Sequence, residues 1–283
     1  MKKLLFFFLF SATSAGAAQL TLITTPPAVP LDWSSPGSLF SSILKNKIRF
    51  EKRPLGLTAV KISCPTWEQT IALVPKSFSV IGELLVDGRG LGLLYHTFPG
   101  ELVDPSEEVK TNLENEKTRF VRYLISDNHC IRIEAFLKDF REKKVGEKFG
   151  LPHRPLMAEG GSDTSFAVAV LEVAGVLNQK EKDSWESAYY LPDELSGMPL
   201  HEKYVNVFSL MGSHWDDSDT KASVLKIWDP QKISSWVDSS SAKVTEGKAT
   251  GVELDRSKVP APQGGWWKQA MSPEYSKKKN QRP

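Results

Sequence analysis

Residues 150–177, GLPHRPLMAEGGSDTSFAVAVLEVAGVL, restrict the fold more than any other stretch of the chain. A Pro-flanked segment runs into Glu159-Gly160-Gly161, and the polar turn Ser162-Asp163-Thr164 opens a run that is apolar on nearly every side. A helix with no polar face has nothing to offer water, so this one is expected at the centre of a domain. Gly175 supplies the stop. An Asp in the first helical turn satisfies free backbone N–H groups and complements the helix dipole.

Other elements follow from periodicity. Ser126 is expected to cap a helix through Lys144 that places Cys130, Ile133, Phe136, Leu137 and Phe140 on one face. Residues 57–62 and 222–228 have strand composition, as do 204–211, and residues 230–237 suit a last short helix. Cys64-Pro65 is read as a turn into a helix carrying Trp67, Ile71 and Leu73. Asp87-Gly88-Arg89-Gly90 between two apolar runs signals a hairpin joining 79–86 to 91–96. That Gly-rich run lacks a phosphate-loop Lys, and no cofactor motif is expected. The charged run 104–117 reads as a solvated loop or helix face. Residues 181–190 read as helical.

The N-terminus carries Lys2 and Lys3, an apolar run over 4–10 and an Ala15-Gly16-Ala17-Ala18 site, so residues 1–18 read as a secretory signal peptide. The run is shorter than the ~20 residues a membrane span needs. Loss of the two lysines takes the formal net charge from +2 to 0, which excludes a general pull toward nucleic acid. Residues 19–55, rich in Pro and Ser, are expected to form an extended leader. Residues 56–238 should form a single globular α+β domain, and 239–283 a disordered basic tail. Two cysteines in an oxidising compartment are either one disulfide, Cys64–Cys130, or two buried thiols. Trp266 and Trp267 stand out in the tail. They either contact a glycan or partner or fold back on the domain.

The block GGSDTSFAVAVLEVAGV, with SVIGELLVD and LKIWDPQKISSW, resembles circularly permuted papain-like proteins, relatives of NlpC-type cell-wall hydrolases and of the Lnb N-terminal periplasmic domain. The resemblance spans roughly residues 56–237. It implies a small, mainly antiparallel sheet packed on the central helix, with a Cys at the helix start and a His on a strand. A thiolate there is favoured by the helix dipole, and the His serves as general base. Here Asp163 stands at the Cys position and Glu83 at the His position, and Asp cannot replace a thiolate in acyl transfer.

The candidate pocket is therefore Glu83, His96, Glu159, Ser162 and Asp163, with no catalytic residue assigned. Ser162 and Ser165 lie in the right turn but lack an assignable activating His. Glu83 and Asp163 would form a carboxylate pair able to do acid–base work or hold a cation. The acidic loop 216–219 is a second cation candidate, although it reads as a solvated turn. The expected function is that of a secreted envelope protein, periplasmic or extracellular. It would bind peptidoglycan fragments or an envelope protein without catalysis. The alternatives are an active hydrolase of amide or ester bonds and an unrelated secreted interaction domain.

Overall fold

The computed structural model describes residues 18–49, 53–77, 87–115, 117–216, 222–240, 244–246, 249–260 and 267. The architecture is α+β. The main sheet is built from β1 (Gln19–Thr25), β2 (Leu57–Ser63), β3 (Glu68–Pro75), β4 (Phe98–Val103), β5 (Arg119–Leu124), β6 (Lys148–Phe149), β9 (Val244–Glu246) and β10 (Ala249–Asp255). Their order is β6-β4-β3-β2-β1-β5-β10-β9, antiparallel throughout except where β10 runs parallel to β5. β7 (Glu186–Pro192) and β8 (Ala222–Trp228) form a separate antiparallel pair.

Side-chain alternation decides what each sheet face meets. Leu20 and Leu22 of β1, Val60 and Ile62 of β2, Ile71 and Leu73 of β3, and Val121 and Tyr123 of β5 point into the main core. Helices α3 (Asp127–Glu142) and α4 (Asp163–Ala174) fill that core from the other side. The opposite face carries Ile23, Leu57, Ala59, Ala72, Val74 and Phe120, capped by Val109 of α2 (Ser106–Glu114). α4 is the central helix the sequence implies, with ten of its twelve residues buried. It ends at Gly175, whose φ of 76° is left-handed. The spacing over 126–144 is likewise realised in α3, with Ser126 as its cap.

The two cysteines form a disulfide, Cys64–Cys130, that ties the β2–β3 turn to the first turn of α3. Cys64 N–H donates to Trp67 O at 2.8 Å, so the segment expected as a helix is a tight turn followed by strand β3. Ile71 and Leu73 are two apart, which is a strand face and not a helical stripe.

Four further stretches differ from expectation. Residues 19–55, expected as an extended leader, supply β1, paired on both sides, and α1 (Pro36–Ile48). The β-branched run in LTLITT outweighs the Pro-rich sequence that follows it. The Gly88 and Gly90 turn is real (φ 58° and 51°), yet residues Leu91–Tyr95 form a short 3-10 helix. The turn bridges to Ser196 and Val205. The first proposed hairpin arm, 79–86, lies outside the described residues. Within 204–211, Asn206 Oδ1 accepts from Phe208 N–H at 2.9 Å, and the chain winds into a 3-10 turn instead of a strand. The helix expected over 181–190 is shorter, α5 (Gln179–Trp185), and gives way to β7.

Residues beyond 239, expected to be disordered, contribute β9 and β10. Trp267 is buried (2% exposed), with its Nε1–H donating to Asp139 Oδ2 at 3.2 Å, Arg132 over its ring at 5.0 Å and Phe136 edge-on. Of the two readings, the tail folding back holds for Trp267. Trp266 lies outside the described residues.

Candidate functional site

The start of α4 is built from both sides. Ser162, the N-cap, accepts through Oγ from Ser165 N–H at 3.0 Å, and Ser165 Oγ accepts from Ser162 N–H at 2.7 Å. This reciprocal box satisfies two of the donors left free at a helix start. The chain reaches the cap through Gly160, whose φ of 109° and 2.4 Å approach of a notional Cβ to Lys148 O leave room only for glycine.

β2 and β3 pair only through Val60–Ser63 opposite Ile71–Glu68. Toward Leu57 and Pro75 the strands part, and the start of α4 is set into the gap. Thr58 N–H, on the edge of β2 that β3 leaves unpaired, donates to Asp163 Oδ2 at 2.7 Å, and Thr164 N–H donates to Asp163 Oδ1 at 2.8 Å. The Thr58 and Thr164 hydroxyls bond each other at 2.9 Å. Asp163 thus staples the helix to the strand.

Enclosure by protein raises its pKa from 3.8 to about 6. The two backbone donors and the nearby Arg53 guanidinium act against that rise without cancelling it. Asp163 is partly exposed and lines a cavity.

That cavity, about 290 Å³, occupies the gap between the strands. Its walls are mainly apolar: Leu39 and Ile43 of α1, Leu73, Phe98, Phe149 and Trp228. Trp33 also lines it, held in place by stacking on Tyr189 at 4.5 Å and by accepting, through its backbone O, the Trp215 indole N–H at 2.7 Å. The charged lining groups are Lys47, Arg53, Lys76 and Asp163. Arg53 also faces Glu108 at 3.4 Å.

Of the five candidate-pocket residues, the structure brings Ser162, Asp163 and His96 to this cavity. His96 packs edge-on against Phe98 at 4.6 Å. Among the described residues, no histidine hydrogen-bonds to Ser162 or Ser165. Glu159 is not at the cavity. It receives a two-pronged bond from Arg154 (2.7 and 3.0 Å) and so braces the loop before α4. Glu83 lies outside the described residues, so the proposed pairing with Asp163 falls there too, as do residues 217–219 of the acidic loop. His129, neighbour of Cys130, belongs to the α3 cap, and its Nδ1 meets Ser126 Oγ at 2.7 Å. His153 bonds Thr97 Oγ1 at 2.7 Å. No group of three or more His, Cys, Asp or Glu side chains suited to a metal ion occurs among the described residues.

Sequence reasoning missed Thr58, Lys47, Arg53 and Lys76. Lys47, Arg53 and Lys76 come from separate segments and meet at the cavity, and Thr58 meets Asp163 beside it. Compared with known proteins, the chain matches no family model, no curated protein and no solved structure.

Proposed function

We propose that this chain is an exported bacterial envelope protein whose domain is a degenerate permuted papain-like one, and that it binds envelope material or a protein partner without cleaving it. The observation that carries the reading is Asp163. It occupies the position the resemblance assigns to a nucleophile, and both its oxygens are taken by backbone donors, one of which, Thr58 N–H, ties the helix to the sheet. Ser162 and Ser165, the neighbouring hydroxyls, are committed to each other's backbone. A nucleophile needs a base within hydrogen-bond reach, and a binding site needs only a shaped, mostly apolar cavity with a few polar groups. The site has the second set of features. The disulfide fits an oxidising compartment.

The test is to incubate the purified chain and its Ser162→Ala variant with amide- and ester-linked envelope fragments, following both retention and cleavage. Retention without cleavage by either protein is expected. Cleavage by the parent that Ser162→Ala abolishes would establish the hydrolase instead.

A further inference from the structure

Resting on the binding reading above, we infer that the cavity between β2, β3 and α1 takes a single-chain amphipathic carboxylate, its apolar chain inside and its anionic head at Lys47 and Lys76. The walls that surround the space are mainly aliphatic and aromatic, so an apolar chain is favoured inside it. At about 290 Å³ the cavity lies at the small end of ligand pockets, a size for a single short chain and not for a branched lipid.

The charges at the opening give the sign of the head. Lys47 on α1 is half-buried and Lys76, just past β3, is exposed, and both line the cavity. Among the described residues neither ammonium group has a carboxylate partner. Arg53 adds a third positive charge, shared with Glu108. The one acid in the lining, Asp163, faces the helix start with both oxygens bonded. Among the described lining residues, two ammonium groups and an Arg53 shared with Glu108 stand against one committed carboxylate, which favours an anionic ligand over a cationic one. The walls are also preformed. Trp33 is held by Tyr189 and Trp215, and Leu39 and Ile43 are buried on α1, so little side-chain ordering is required on binding.

The experiment is titration calorimetry of the full chain at neutral pH with decanoate, decan-1-ol and decyltrimethylammonium. It is repeated on Lys47→Glu/Lys76→Glu and on Leu55→Trp, which pushes an indole into the cavity. Decanoate is expected to bind at least ten-fold tighter than either comparator. The double charge reversal should cost ten-fold or more, and Leu55→Trp should abolish binding with its circular-dichroism spectrum unchanged. If decan-1-ol binds as tightly as decanoate, or Leu55→Trp retains full affinity, the inference is overturned. Binding of anionic vesicles that decanoate does not compete away would equally overturn it, since the anion site would then belong to a membrane surface. Retention of envelope fragments with no decanoate binding sinks the ligand class and leaves the binding reading intact. Ser162-dependent cleavage removes the binding reading itself.

Discussion

Replacing Asp163 with Asn tests the account of the helix start through its pH dependence. The folded carboxyl has a pKa of about 6 against an ordinary 3.8. A gap of about two units, at 1.36 kcal/mol each, corresponds to about 3 kcal/mol. Because the folded-state value is raised, the folded protein holds this proton more tightly than the unfolded chain does. The stability it contributes is therefore complete below about pH 4 and is lost as pH rises through about 6. Asn does not titrate, so its contribution stays level. It has one oxygen where two backbone donors point, which costs about 1–3 kcal/mol for the donor left unpaired.

The parent should therefore be more stable than Asp163→Asn at pH 4. The order should close or reverse by pH 7.5, the difference between the two proteins changing by about 3 kcal/mol over that interval. Urea unfolding of both proteins at pH 4, 5, 6 and 7.5 measures it, with the titration of every other group cancelling in the difference. A difference constant to within about 0.5 kcal/mol, or one moving in the opposite direction, would refute the reasoning.

Other consequences are simpler to check. Cys64→Ser/Cys130→Ser opens a loop of 66 residues' separation, and the chain-entropy model gives a loss of about 4 kcal/mol, read as a lower urea midpoint. A loss under about 1 kcal/mol would contradict it. Trp267→Ala empties a buried site against Phe136 and Arg132 and should destabilise by about 3 kcal/mol, with faster proteolysis of residues after 260. Unchanged stability would mean that the tail does not pack there in solution. Ser162→Ala removes one cap acceptor and should cost about 1 kcal/mol in the same unfolding assay.

How far the sequence discloses the fold depends on the element. The two core helices announce themselves in different ways, α3 by a helical period of apolar residues after Ser126 and α4 by a run apolar on nearly every side between Ser162 and Gly175, and Asp163 could be read as a helix-start residue from its position alone. β1 could not be read because its six-residue run is followed by Pro26 and Pro27, and local composition favoured an extended leader. β3 was hidden by Cys64-Pro65, which suits a turn before a strand as well as before a helix. The cavity was illegible for a different reason. Lys47, Arg53, Leu73 and Trp228 belong to four separate segments without a chemical motif, and they meet only because two adjacent strands pair for part of their length. Which side chains face such an opening depends on where the ladder stops, and no local periodicity records that.

The first strand has a bearing on how a precursor could be trimmed. Ile125 N–H donates to Ala18 O at 2.9 Å, and Ala18 is buried where β1 begins. A peptidase cutting between Ala17 and Ala18 leaves that carbonyl in a peptide bond and the bond to Ile125 intact. A cut one residue later removes the acceptor and sets a new ammonium group on Gln19, between β2 and β5. If a leader is removed there, a cut after Ala17, one residue short of the 1–18 boundary expected from the sequence, keeps the Ala18–Ile125 bond, and a cut after Ala18 loses that bond while the Gln19–Leu124 register remains.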